Sequence, residues 1–355
     1  MQLLQILQEI ASKIEIEYSN FVVIHPKFQH QKIPADVMAY LQKLPQNVQD
    51  EYLISLLQKL IFGIYYSGKL LLKKNQVTQI NYEIGLEDTP CEVDWEFCDK
   101  LHKNNHGKGS WNPYFRVLRQ EADGTLAVEK KGITVHIQRD RHLRLEEQSA
   151  AVGDVVSLPR PSSHIRNQFY IAYGDLVYTW SYPSVFIYFN FSPKGALALM
   201  GHLTEQLNAI KIPFDFNVLY NPSSYGRYDS GILRINKDSY RVVWQVLQTV
   251  YAENESHFQT HVPIFTKVLA PGLALAERPE KEFRFLEDFG MNRCKIVANA
   301  LLDAHNNGDE SPEARMKYIR QHFEALGIDL ESSYLNPNSE DIYTPLDVTK
   351  WCESK

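Results

Sequence analysis

Apolar residues recur three and four positions apart through Leu3, Leu4, Leu7, Ile10, Ala11 and Ile14, and again through Leu53, Leu56, Leu57, Leu60 and Ile61. That spacing lays one apolar stripe along each of two amphipathic helices. The HPKFQHQKIPAD stretch between them is polar, and Pro34 is placed to open a short helix. Residues 1–95 therefore read as a helical subdomain suited to packing or partner binding, because they offer no convergent polar cluster.

The pattern changes near residue 105. Short alternating runs, including FRVLR, LAVEKKGITVHIQ and NQFYIAYGDLVY, are separated by Gly107, Gly109, Gly124, Gly132, Gly153 and Gly174. They predict β-strands joined by turns. SVFIYFNFS then reads as a buried strand, PKGALALMGHLTEQLNAI as a helix opened by Ser192 and Pro193, FDFNVLY and GILRI as two further strands, and Tyr240 to Tyr251 as another helix. Strand, helix, strand predicts a crossover connection and layers of sheet and helix. PIFTKVLAPGLALAERP is extended, and MNRCKIVANALLDAHNNG is a helix ending near Gly308. The expectation is an α+β fold over residues 96–330, an antiparallel or mixed twisted sheet flanked by helices. A polar tail over 331–355 is expected to be partly loose.

Composition narrows the function classes. With 355 residues, 44% hydrophobic and 23% charged, the chain can bury a large core. A formal charge of -6 gives no general attraction for nucleic acid, so any anion site must be local. The first twenty residues lack the basic start and small-residue cleavage site of a signal peptide, and the apolar runs are too short and polar to span a bilayer. A cytoplasmic protein is expected. Cys91, Cys98, Cys294 and Cys352 are too scattered for a disulfide framework and read as buried thiols.

Candidate chemistry lies mainly at element ends. Arg227 in SYGRYDSG, Lys267 in FTKVLAPG and Arg293 in FGMNRC are cations near turns, where guanidinium groups can converge on a phosphate. The competing reading pairs Arg227 with Asp229 and leaves Lys267 and Arg293 on the surface. HExxH, GxSxG and GxGxxG are absent, and HGKG lacks the Lys-Ser or Lys-Thr ending of a phosphate loop. His136 on a strand and His202 in a helix have no second ligand at short spacing.

Taken together, VGDVVSLPRPSS with FYIAYGD, the run from VFIYFNFS to GILRI, FTKVLAPGLALAERP, and DFGMNRCKIVANAL resemble the HopA effector family. The same segments are similar to its relatives, the lyase components of class V lanthipeptide and thioamitide biosynthesis. The likeness covers roughly residues 100 to 305. It implies an α+β fold and β-elimination of phosphate from phosphoserine or phosphothreonine in a precursor peptide, phosphorylated by a separate kinase. No metal or organic cofactor is implied. A related phosphothreonine lyase places a lysine base on one strand and a histidine acid on a preceding one; here those places hold Asn217 and Asn190.

Under this resemblance, Lys267 would replace the missing base if burial among cations lowered its pKa. Asn190 would donate to the developing enolate. Arg227 and Arg293 would hold phosphate, with Tyr240 an additional donor and Arg160 within reach. The alternative is an inactive pseudo-lyase that binds a phosphorylated or acidic peptide, or a protein partner, because asparagine can neither take nor return the proton. An effector recognised through its N-terminal helices and passed into a host cell is a third reading.

Overall fold

The computed structural model describes residues 2–27, 33–72, 93–177, 183–283 and 287–348. Cys91, Cys352, residues 28–32 of the first polar loop and residues 349–355 of the tail lie outside them. The chain opens with α1 (Gln2–Lys13), a hairpin of β1 (Glu15–Glu17) and β2 (Val22–Ile24), α2 (Ala35–Leu41) and α3 (Gln46–Ile61). Pro34 stands at the N-cap of α2, and α3 runs on into a π-helical turn, Phe62–Tyr66. The hairpin is absent from the periodicity because strands of three residues are too short to show alternation.

After α4 (Trp95–Asn104), a small antiparallel sheet forms from β3 (Ser110–Gln120), β4 (Leu126–Lys130), β5 (Ile133–Ile137) and, beyond the short α5 (Arg139–His142), β6 (Val155–Arg160). Its order is β5-β4-β3-β6, over a core of its own that includes Phe115, Leu126, Val128 and Val156. Lys131 and Gly132, at φ of 53° and 79°, make the two-residue turn between β4 and β5, where positive φ matches the strand twist.

The larger sheet is seven-stranded: β7 (Ser163–Arg166), β8 (Phe169–Tyr173), β9 (Ser184–Phe189), β10 (Phe214–Leu219), β11 (Gly231–Asn236), β12 (Lys267–Ala270) and β13 (Leu273–Glu277). The spatial order is β12-β13-β9-β11-β10-β8-β7, with every pair antiparallel. The crossover expected from the sequence is present: α6 (Pro193–Ala209), capped by Ser192 Oγ accepting the Gly195 N–H, links β9 to β10. These two strands run in the same direction, but β11 lies between them.

Helices cover both faces of this sheet. Val185, Ile187, Phe216 and Leu233 pack with α4, α6 and α7 (Tyr240–Asn254). On the other face Phe186, Tyr188 and Ala276 join a core built from α1, α3, α8 (Phe289–Asn306) and α9 (Pro312–Ala325). The first helices and the last two thus share one core. Gln58 Nε2 donates to the Met291 carbonyl at 2.7 Å, and Arg315 Nη1 to that of Ala11 at 2.9 Å. Residues 331–348 depart from the expected loose tail: Tyr343 and Leu346 are buried in the core beneath α7, and Leu346 N–H bonds to the Leu269 carbonyl. Among the described residues no helix is long and apolar enough to cross a membrane.

Gly290, in the first turn of α8, lies under the Tyr66 ring, and a Cβ there would approach the ring to 2.3 Å. Gly290→Ala is expected to destabilise the protein by about 1–3 kcal/mol through overpacking, read from the urea unfolding midpoint. Gly201→Ala in α6 is the control. Its Cβ would meet nothing closer than 3.7 Å, so helix propensity should hold or raise the midpoint.

Candidate functional site

Register fixes which polar side chains share a face. Asn217 of β10, Ile232 of β11, Tyr188 of β9 and Ala274 of β13 form one cross-strand row, and Asp215, Arg234, Phe186 and Ala276 form the next. Both rows point toward the face closed by α3 and α8, where Phe186, Tyr188 and Ala276 are core residues. Tyr66, from the π-helical turn after α3, meets Tyr188 edge-on with ring centroids 6.1 Å apart. Both tyrosines are almost wholly buried; their hydroxyls influence one another, but neither reaches a well-formed hydrogen bond among the described residues.

The two asparagines complete this polar layer. Asn217 Nδ2 donates to the Ile232 carbonyl at 3.3 Å, and Asn190 Nδ2 to that of His261 at 2.8 Å. Each amide is therefore oriented by a carbonyl, because its own oxygen would be repelled there. Each Oδ1 is left buried without a hydrogen-bond partner among the described residues. The face thus holds two unpaired amide oxygens beside the two tyrosine hydroxyls.

Carboxylates add to that character. Asp288 caps α8, accepting from Gly290 N at 2.8 Å and Met291 N at 3.3 Å. Burial, then the nearby Asp229, push its carboxyl up to about 6 against the pull of the two N–H groups and Arg234. Burial pushes both tyrosine hydroxyls well above their ordinary value, so they stay neutral. Asp215 is likewise raised by burial, although Arg234 and Arg160 oppose the shift.

The structure does not gather the nominated residues into one pocket. Arg227 is buried and closes on Asp229 in a bidentate pair, with Nε–Oδ1 and Nη2–Oδ2 both 2.8 Å. Lys267 lies on edge strand β12, four strands from Asn217 and about 19 Å away at about 4.8 Å per strand. Its register partner Leu275 belongs to the opposite face, and its ammonium pairs with Asp341. Arg293 is not a surface residue: it is 1% exposed and donates to the carbonyls of Ser333 and Leu335 and to Asn292 Oδ1. Tyr240 donates to the Thr344 carbonyl at 3.2 Å. Lys267, Arg293 and Tyr240 therefore all hold the segment from 333 to 344. Of the nominated cations, Arg160 alone keeps a buried N–H, on Nη1, without a partner among the described residues; its guanidinium lies 3.8 Å above the Tyr173 ring, beside β10.

A second anchor for that segment went unnoticed in the sequence. Glu277, 2% exposed at the end of β13, accepts from Lys237 at 2.6 Å, Ser339 at 2.7 Å and Tyr343 at 2.8 Å through Oε1, and from Asn336 N through Oε2. Burial alone would raise its carboxyl, but these donors hold it below the ordinary value. Tyr66, Tyr188 and Asp288 were also missed, whereas the pairing of Asp229 with Arg227 was one of the two readings the sequence offered. Only Asp288 carried a signal, an acidic residue standing just before a helical pattern.

Asp288 gives the site a pH signature. Its folded pKa is raised, so the folded state holds the proton more tightly than the unfolded chain does. The associated stability is present below the unfolded value and is lost as pH rises from about 4 through 6, a change on the order of 3 kcal/mol. Asp288→Asn keeps an oxygen for the cap and cannot ionise. Its melting temperature relative to the parent should therefore rise between pH 4.5 and pH 8, and an unchanged difference would remove Asp288 as a titrating group.

Residues 160–335 match the family described as the HopA1 effector protein family. Among solved structures, the effector protein from Pseudomonas syringae pv. tomato strain DC3000 is 18% identical, with 71% of this chain and 85% of that one covered and a TM-score of 0.42. The effector protein from Pseudomonas syringae pv. syringae strain 61 is also 18% identical, covering 69% of this chain and 81% of its own at the same TM-score of 0.42. No curated protein matches. The stretch that carries the larger sheet, α8 and α9, residues 160–335, thus belongs to the HopA1 effector protein family.

Proposed function

We propose that this chain is an effector-type binding protein that engages an acidic peptide or protein partner without eliminating phosphate from it. The observation that supports the absence of elimination is the state of the nominated cations. Arg227 is neutralised by Asp229 and Lys267 by Asp341, while Arg293 is held by main-chain carbonyls. A phosphate dianion needs several cations free to converge on it, and a base must lie within reach of the Cα proton. Lys267 is four strands from Asn217 and already serves as the counter-charge of an aspartate.

Elimination is the second reading. It is favoured by Asp288, whose carboxyl is raised to about 6, beside the Tyr66–Tyr188 pair, whose neutral hydroxyls can donate hydrogen bonds. Incubation of the full chain with phosphothreonine and phosphoserine peptides, followed by mass spectrometry, separates the two. The expected result is no loss of phosphoric acid from either peptide. A dehydroamino acid product that Asp288→Asn abolishes and Lys267→Ala leaves intact would establish elimination through the tyrosine face and overturn the binding reading.

A further inference from the structure

The middle strand of a sheet covered on both faces is normally buried, and β11, the fourth of seven in the sheet order, is not. Its Ile232 and Arg234, on the side of α3 and α8, keep partial exposure. So does Asp288 at the N-cap of α8, whose carboxyl lies close enough to feel Arg234. A cleft therefore reaches the sheet between these groups. Tyr66 and Tyr188 flank it: both hydroxyls interact with the Asp288 charge, and the Tyr66 ring lies against Gly290, whose N–H Asp288 caps.

The lining holds unused oxygens. Asp288 Oδ1 takes both N–H groups of the helix cap, whereas Oδ2 accepts no hydrogen bond and forms no ion pair among the described residues. The neighbouring arginines are engaged elsewhere: Arg234 with Asp215 at 2.9 Å, Arg227 with Asp229, and Arg293 with two carbonyls and Asn292 Oδ1. The Tyr66 and Tyr188 hydroxyls and Asn217 Oδ1, all in residues no more than 3% exposed, have no hydrogen-bond partner among the described residues. All of these groups can accept, and of them only the tyrosines can donate. An anion would face Asp288, and a neutral ligand would leave its charge without a counterpart. A primary ammonium brings three N–H donors, no acceptor and the missing charge.

We infer that the cleft over β11 binds a primary ammonium group, received by Asp288 Oδ2 and the hydroxyl oxygens of Tyr66 and Tyr188, with Asn217 Oδ1 as a further acceptor. A free alkylamine and a lysine side chain presented by a peptide offer this same chemistry. The inference goes beyond the partner reading and does not rest on it, since that reading concerns the cations that are already paired.

The test is calorimetry on the full chain at pH 8, where Asp288 and an amine are both charged. The probes are n-butylamine, a blocked Gly-Lys-Gly peptide, n-butanol and potassium chloride, in a sodium buffer. Butylamine or the peptide is expected to bind at least about tenfold more tightly than butanol or potassium. Tighter binding of the peptide assigns the site to a partner's lysine, and tighter binding of butylamine to a free amine. Asp288→Asn, which keeps an oxygen for the cap, should weaken amine binding about tenfold. Tyr188→Phe should weaken it about fivefold while the urea midpoint holds or rises, because the hydroxyl it removes has no partner in the free protein. In the parent chain, labelled with carbon-13 at the tyrosine Cζ atoms, the Tyr66 and Tyr188 resonances should shift as the amine is added. Absence of amine binding or of those shifts, butanol or potassium matching the amines, or undiminished binding to Asp288→Asn overturns the inference.

Discussion

A sheet covered by helices on both faces offers no solvent to a charged side chain, and the seven-stranded sheet is built around that constraint. Each buried charge carries its own neutraliser within hydrogen-bonding distance: Asp229 for Arg227, Lys237 for Glu277, and main-chain carbonyls for Arg293. Removing one partner of such a pair exposes the full desolvation cost of the other, which exceeds the net worth of the pair. The same constraint explains Asp288, whose two N–H donors and distant arginine do not fully offset burial beside Asp229.

This accounts for why a cluster of basic residues in the sequence is not a phosphate pocket in space. Turns and element ends are where cations converge on ligands, but they are also where a returning segment of the chain is tied down. Here the returning segment is 333–347, which crosses the end of the sheet and takes its bonds from Arg293, Glu277, Lys267, Tyr240 and Gln248. The polar composition that made this stretch look loose is the composition that lets it satisfy buried donors and acceptors without regular secondary structure.

Much of the fold was legible. The central strands, α6 with its Ser192 cap, α7 and α8 follow from apolar period and capping chemistry, and an antiparallel or mixed sheet flanked by helices was expected. The strand order was not, because nothing local records that β11 inserts between β9 and β10. The site was less legible still. Tyr66 sits in FGIYY, where an aromatic residue that packs and one with an unsatisfied hydroxyl look alike, and Arg227 reads equally as a ligand-binding cation or as the partner of Asp229 until the bidentate pair is seen. Asn190 and Asn217 were found by position in a motif, but their role as carbonyls oriented by backbone acceptors depends on register.

The core shared by the two ends of the chain has a consequence for synthesis. Gln58 and Met291 are 233 positions apart, and Arg315 and Ala11 are 304 apart. During translation α1 and α3 leave the ribosome with their apolar faces uncovered until α8 and α9 emerge, while α6 and α7 can already close the opposite side of the sheet. The nascent chain therefore passes through a half-covered intermediate with sticky leading helices, the species that folding helpers hold and that aggregation removes.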